Sequence, residues 1–287
     1  MTDSLRYVAA ADGTPVAYRV RGEGPPLVLA NGLTTSDFFW RHVMPRWEKK
    51  WRVVTWDYKG HGDSGPARDV GATTPAALAD DMRRVFDDVG IERAPIVGFS
   101  MGCQIVLEAC RVMPERIDAV GCLLGPAGRL FDTALPPITG RAAQVLLRSI
   151  PELSTGVVMG GFGRIIRLPL AQRVGRLLGY IGPHAKPADV ALYMRHFTRL
   201  HYPTVRAVAL AAGEHDASDL LEGLPVPLLI VAGGRDPFAP MKTVGEVMHR
   251  RAPSSRLVRL PNGTHTSLFE HPDQIADAVE AFLAQAR

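Results

Sequence analysis

The sequence predicts an α/β fold in which a mostly parallel sheet is covered by helices on both faces. Three observations carry this. Short apolar runs such as Pro26–Ala30, Ala94–Phe99 and Ile117–Leu124 recur along the chain, too short for helices and apolar on both faces. Amphipathic segments at helical spacing separate them. The alternation stops near Gly125 and resumes at Pro227, so a second kind of structure is inserted in the sheet.

The elements follow in order. Leu5–Ala11 and Thr14–Val20 read as two strands, and Asp12-Gly13 between them is a strong hairpin turn. Pro26–Ala30 is a buried strand. A helix is expected from Ser36, a good N-cap, to Trp47. Trp51–Trp56 returns to strand. Pro75–Val89 is a helix, because Leu78, Met82, Val85, Phe86 and Val89 fall on one face. Ala94–Phe99 and Ile117–Leu124 are strands flanking a helix that begins near Cys103. Residues 126–216 contain no clear strand and are rich in Leu, Arg, Gly and Pro. Pro227–Ala232 and Ser255–Leu260 complete the sheet, and a C-terminal helix closes the chain.

Gly98-Phe99-Ser100-Met101-Gly102 lies between a buried strand and a helix. G-x-S-x-G in that place makes a sharp turn whose small flanking residues let strand and helix approach, which pushes the serine hydroxyl above the sheet edge. A serine hydroxyl needs a base, and the base an orienting carboxylate. The strand ending at Ala232 runs into Gly233-Gly234-Arg235-Asp236, and the strand ending at Leu260 runs into Pro261-Asn262-Gly263-Thr264-His265. Serine, acid and histidine thus follow one another in chain order, each just past a strand end. Over nearly its whole length the chain resembles the α/β-hydrolase superfamily. That resemblance implies a mostly parallel eight-stranded sheet. It implies a core of residues 1–125 and 217–287, with 126–216 as a helical cap. It assigns Ser100 as nucleophile, Asp236 as orienting acid and His265 as general base.

The resemblance also places the oxyanion donors. One is the backbone N–H of Met101, where the following helix starts and its dipole favours negative charge. The other is the N–H of Leu33 in Ala30-Asn31-Gly32-Leu33-Thr34-Thr35. The family commonly carries His-Gly where this chain has Asn31-Gly32; Asn31, Gly32 and Phe99 are expected to contact substrate. Asp57-Tyr58-Lys59-Gly60-His61-Gly62-Asp63-Ser64 resembles the family's D-x-R-G-x-G-x-S loop, with Lys59 in place of Arg, and implies a structural role for His61. The remaining histidines lack a strand-end setting and read as surface or packing residues.

Composition bounds the alternatives. Hydrophobic residues make 46% and charged residues 22% of 287, ordinary for a globular domain. Residues 1–13 contain no apolar leader segment and no stretch approaches the roughly 20 apolar residues of a spanning helix, so a cytoplasmic protein is expected. Three cysteines give no disulfide framework; Cys103 and Cys110 read as small buried hydrophobes. No metal-ligand spacing, phosphate loop, dinucleotide fingerprint or nucleic-acid motif occurs, so neither metal, cofactor nor nucleic acid is expected. The net charge is +4, and the basic excess sits in 126–216, with eleven Arg or Lys against five Asp or Glu. Arg164–Leu178 mixes arginines with aliphatics. Two readings stand: solvated arginines over pocket-lining aliphatics, or weak contact of the cap with an anionic membrane surface.

The expected activity is a serine hydrolase that cleaves a small carboxylic ester with an apolar acyl or alcohol part through an acyl-serine, in a monomer or homodimer. The same triad serves thioesters and C–C bonds. The elbow also resembles that of cofactor-free haloperoxidase or perhydrolase-type members, and a non-catalytic small-molecule receptor can retain the triad.

Overall fold

A computed structural model describes residues 4–133 and 137–286. Residues 134–136 of the expected cap, and Met1–Asp3 of the N-terminal stretch, lie outside the described residues. The strands are β1 (Leu5–Ala9), β2 (Pro15–Arg21), β3 (Pro26–Ala30), β4 (Arg52–Trp56), β5 (Ala94–Phe99), β6 (Ile117–Leu123), β7 (Leu228–Gly233) and β8 (Arg256–Leu260). They form one eight-stranded sheet in the order β1-β2-β4-β3-β5-β6-β7-β8. β2 pairs antiparallel with β1 and β4, and every other pairing is parallel. The expected mostly parallel α/β sheet is therefore what the chain forms.

Both faces are covered, which is why the central strands read as unbroken apolar runs. Val28, Val54, Ile96, Val120 and Ile230 point to one face, against α2 (Pro75–Val89), α3 (Gly102–Val112) and α10 (Gly245–Arg251). Their sequence neighbours Leu27, Leu29, Val53, Val97, Leu229 and Val231 point to the other, against α1 (Met44–Trp47) and α12 (Pro272–Leu283). Local chemistry sets the boundaries. At the first hairpin, Gly13 takes φ 76° and the Asp12 carboxylate accepts the Thr14 N–H at 3.1 Å. Thr74 caps α2 by accepting the Ala77 N–H, Pro75 opens it, and Gly90 at φ 70° closes it.

The helix expected from Ser36 to Trp47 is not continuous. A single 3₁₀ turn spans Asp37–Trp40 and α1 begins only at Met44; Ser36 makes no capping hydrogen bond. Pro45 accounts for the break, since it lacks the N–H that would bond Arg41 and its ring crowds that carbonyl. The first hairpin strand stops at Ala9, short of the expected Ala11, because Asp12-Gly13 turns the chain.

Between β6 and β7 lie α4 (Leu130–Thr133), α5 (Pro137–Ser149), α6 (Glu152–Ile165), α7 (Pro169–Leu177), α8 (Pro187–Phe197) and α9 (Tyr202–Glu214). No strand is present among their described residues. Gln104, buried on α3, ties this segment to the core: its amide donates to Gly128 O at 2.8 Å and Ala212 O at 2.9 Å. Asp189 on α8 does the same across the other edge, accepting from Arg41 at 3.2 Å and pairing with His42 at 2.9 Å. α11 (Ser267–Glu270) precedes α12.

Candidate active site

Ser100 sits on the turn between β5 and α3 with φ 55°, left-handed for a residue with a Cβ. The flanking glycines are needed for the close approach. A Cβ on Gly98 would lie 2.2 Å from Gly102 O, and one on Gly102 would lie 2.5 Å from Ala30 O. Ser100 N–H donates to Leu123 O at 2.9 Å, which locks the turn onto β6.

The ends of β7 and β8 bring the other two predicted residues to the hydroxyl. His265 Nε2 is 2.9 Å from Ser100 Oγ. His265 Nδ1 lies 2.9 Å and 3.1 Å from the two Asp236 carboxylate oxygens. Asp236 is buried and its Oδ1 also accepts the N–H groups of Phe238 at 2.8 Å and Ala239 at 3.0 Å. These fix the carboxylate toward the imidazole. Phe99 and Phe238 pack on the imidazole with ring centroids 5.1 and 4.8 Å away. An imidazole so held can take a proton from the serine and keep the tautomer that does so.

The predicted donors lie beside this group. Met101 stands at the N-terminus of α3 and Leu33 lines the cavity over Ser100. Among the described turns and loops, neither N–H is given to a backbone carbonyl. Phe99 lines the same cavity. Asn31 and Gly32, also expected to contact substrate, lie in the loop beneath it and are not among its lining residues. Asn31 is fully buried: its amide donates to Trp56 O at 2.6 Å and accepts the Trp40 indole N–H at 2.8 Å. It braces the loop from beneath. Gly32 is there for clearance, since a Cβ would meet the Phe99 ring at 2.9 Å.

The loop after β4 is structural. Lys59 is buried, with Nζ 2.9 Å from Ala72 O, 3.2 Å from Asp12 and 3.5 Å from Asp81. A point charge with rotatable donors serves three partners there without the planar fork of arginine. His61 is fully buried, and burial pushes its pKa down to about 4. Its Nε2 accepts the Thr34 N–H at 3.1 Å.

A cavity of about 570 Å³ opens over Ser100. Its walls come from the core (Phe39, Phe238, Phe269) and from the helices between β6 and β7 (Phe131, Met194, Phe197). Among the described residues, the polar side chains on it belong to Thr34, Thr35, Ser100, Tyr180, Tyr193, His265 and Thr266, and none carries a fixed charge. Such a space takes an uncharged apolar group and turns a few polar atoms toward its reacting end. Among the described residues no group of three His, Cys, Asp or Glu side chains is placed to hold a metal, and no helix is long and apolar enough to cross a membrane. All three cysteines are buried and unpaired.

Two features escaped the sequence. Tyr193 on α8 reaches the loop after β3, with its hydroxyl 2.9 Å from Thr34 Oγ1. Glu270 on α11 accepts from the hydroxyls of Thr264 and Thr266, the residues on either side of His265. Tyr193 finds its partner only through the fold, whereas Glu270 lies just four residues past Thr266, a local spacing that carries no recognised motif.

Comparisons with known proteins agree with the fold. A sequence model of the family described as "alpha/beta hydrolase fold" matches residues 25–272. A pimeloyl-[acyl-carrier protein] methyl ester esterase of Neisseria meningitidis serogroup A is 30% identical over 262 residues, covering 89% of this chain and 75% of that protein. Among solved structures, the esterase RhEst1 from Rhodococcus superposes with a TM-score of 0.78 at 22% identity, over 99% of this chain and 100% of that one. An enol-lactonase from Burkholderia xenovorans gives 0.76 at 24%, over 97% and 100%.

Proposed function

The chain belongs to the α/β-hydrolase family, and from that premise we propose that it is a serine esterase acting on a carboxylic ester with an apolar acyl or alcohol part. The observation that carries this reading is the line Ser100 Oγ, His265, Asp236, with both contacts at 2.9 Å, on the floor of an uncharged cavity. Ester hydrolysis is also the activity named for the Neisseria relative.

In the proposed reaction Ser100 Oγ attacks the ester carbonyl as its proton passes to His265 Nε2. Asp236 holds Nδ1–H and stabilises the imidazolium. The Leu33 and Met101 N–H groups meet the oxyanion, where each donor is worth roughly 2.7–4 kcal/mol. The proton then goes from His265 to the departing alkoxide, leaving an acyl-Ser100. Water, deprotonated by His265, attacks the acyl carbonyl, and the second collapse releases the acid and restores Ser100. No step uses a cofactor.

The test is hydrolysis of p-nitrophenyl esters from acetyl to palmitoyl, with Ser100→Ala as control and fluorophosphonate labelling of Ser100. Turnover that vanishes in Ser100→Ala and peaks at one chain length is expected. Labelling of Ser100 without turnover on any ester would replace the ester with a thioester or C–C substrate. Neither labelling nor turnover would leave the receptor reading.

A further inference from the structure

The helices α6 and α7 carry apolar side chains that no described residue covers. Val157 is 80% exposed, Leu170 72% and Leu177 85%, and Phe162, Ile165 and Leu168 are exposed beside them. Single exposed leucines are ordinary; a concentration of large exposed apolar side chains within residues 157–178 marks a contact surface. Basic side chains interleave with them. Arg164, Arg167 and Arg173 are exposed and make no ion pair among the described residues. Residues 153–188 contain four Arg and one Lys but no Asp or Glu. On α7, Leu170, Arg173, Val174 and Leu177 share a face at helical spacing. Arg176 faces away and is used internally, donating to Gly182 O at 2.8 Å and Ala185 O at 3.2 Å.

We propose that this face docks the protein on an anionic phospholipid surface. The aliphatics protrude, and a protruding side chain suits a fluid acyl layer, which closes around it. The arginines interleaved with them would lie at headgroup level and pair with phosphates. A second copy of the chain is disfavoured as the occupant. Two such faces in contact would bring arginines against arginines, with no acidic residue from 153–188 to pair them. The face also adjoins the cavity: Phe162, Val174 and Leu178 line it while remaining exposed outside. Docking would therefore set the cavity mouth against the lipid. It stands independently of which bond the site cleaves.

The test is co-sedimentation of the full chain with vesicles of phosphatidylcholine alone and of phosphatidylcholine mixed with phosphatidylglycerol. Binding to the mixed vesicles and not to phosphatidylcholine is expected, with loss at about 1 M salt, where screening acts within about 3 Å. Each arginine near the surface is worth about a factor of five, so the pair Arg167→Gln, Arg173→Gln should weaken partitioning roughly 25-fold. The pair Leu170→Ser, Leu177→Ser should weaken it at least about tenfold. None of these four residues lines the cavity, and unchanged circular dichroism and Tm show that each variant is folded. No binding to the mixed vesicles at low salt would overturn the proposal. So would binding that needs the arginines but not the leucines, which describes a patch for an acidic protein. A concentration-dependent dimer abolished by Leu177→Ser would assign the face to a second copy and overturn it too.

Discussion

The Nε2 of His61 accepts the backbone N–H of Thr34 at 3.1 Å, so a buried imidazole holds the residue next to a proposed oxyanion donor. Thr34 has φ 60°, a conformation a β-branched residue adopts at a cost. The bond requires neutral His61, and Nδ1–H completes the arrangement by donating to Lys59 O at 3.0 Å. Tyr193 steadies the side chain of the same threonine, with its hydroxyl 2.9 Å from Thr34 Oγ1. The position of Leu33 N–H thus depends on His61, which does not line the cavity.

His61→Ala is expected to lower kcat by roughly 10- to 100-fold with a smaller change in KM, since a displaced donor weakens the transition state more than ground-state binding. His61→Gln, whose side-chain oxygen can accept the Thr34 N–H, should recover part of the loss. Steady-state kinetics on a short ester would check this, with Tm measured alongside. Equal losses in both variants would remove the positioning role.

Burial of His61 also has a pH signature. Its pKa is about 4 in the folded chain and about 6.5 when exposed, so the unfolded state binds more protons in between. The stability it confers is complete above about 6.5 and lost as pH falls toward 4, up to about 3 kcal/mol in all. Asp57 and Asp81 act in the opposite sense. Burial raises both to about 7, so their contribution declines as pH rises from about 4 to 7. Comparing urea unfolding of wild type and His61→Gln from pH 7.5 to about 4.5 isolates the histidine. The gap between the two proteins should narrow toward acid.

Ser100 offers a stability test that activity alone cannot. Alanine at φ 55° keeps the backbone strain of serine, whereas glycine releases it. Ser100→Gly and Ser100→Ala should both be inactive, and the glycine variant should be the more stable by about 1 kcal/mol. Thermal unfolding of the two would show it.

The residues that local rules govern were legible. Alternating apolar runs gave the strands, and the glycines around Ser100 marked a turn tight enough that a Cβ at Gly98 or Gly102 would strike backbone. Asp236 and His265 could be found because each follows a strand end. Residues whose partners are far along the chain were not legible. The hydrogen bonds of the Asn31 amide to Trp40 and Trp56 could not be read from its neighbours in the chain. Lys59 was legible only as a replacement for the family's arginine, and its partners Asp12 and Asp81 were not. The break before α1 was legible in Pro45, which the apolar periodicity masked.

Glu270 carries the last prediction. Its carboxylate accepts the hydroxyls of Thr264 and Thr266 and the N–H of His184, so one side chain grips both neighbours of His265 and the segment before α8. Thr266 in turn accepts the Gly182 N–H at 2.9 Å. Removing the carboxylate frees the His265 loop while leaving the Ser100 turn and the Asp236 contacts in place. Glu270→Ala should lower kcat about tenfold or more, because small displacements of a base cost rate steeply. KM should change little, since Glu270 does not line the cavity. Glu270→Gln keeps one accepting oxygen but sets an NH₂ among donors, so it should fall between wild type and alanine. Fluorophosphonate labelling of Ser100 should slow in the same order. A loss confined to KM would instead place Glu270 in substrate binding.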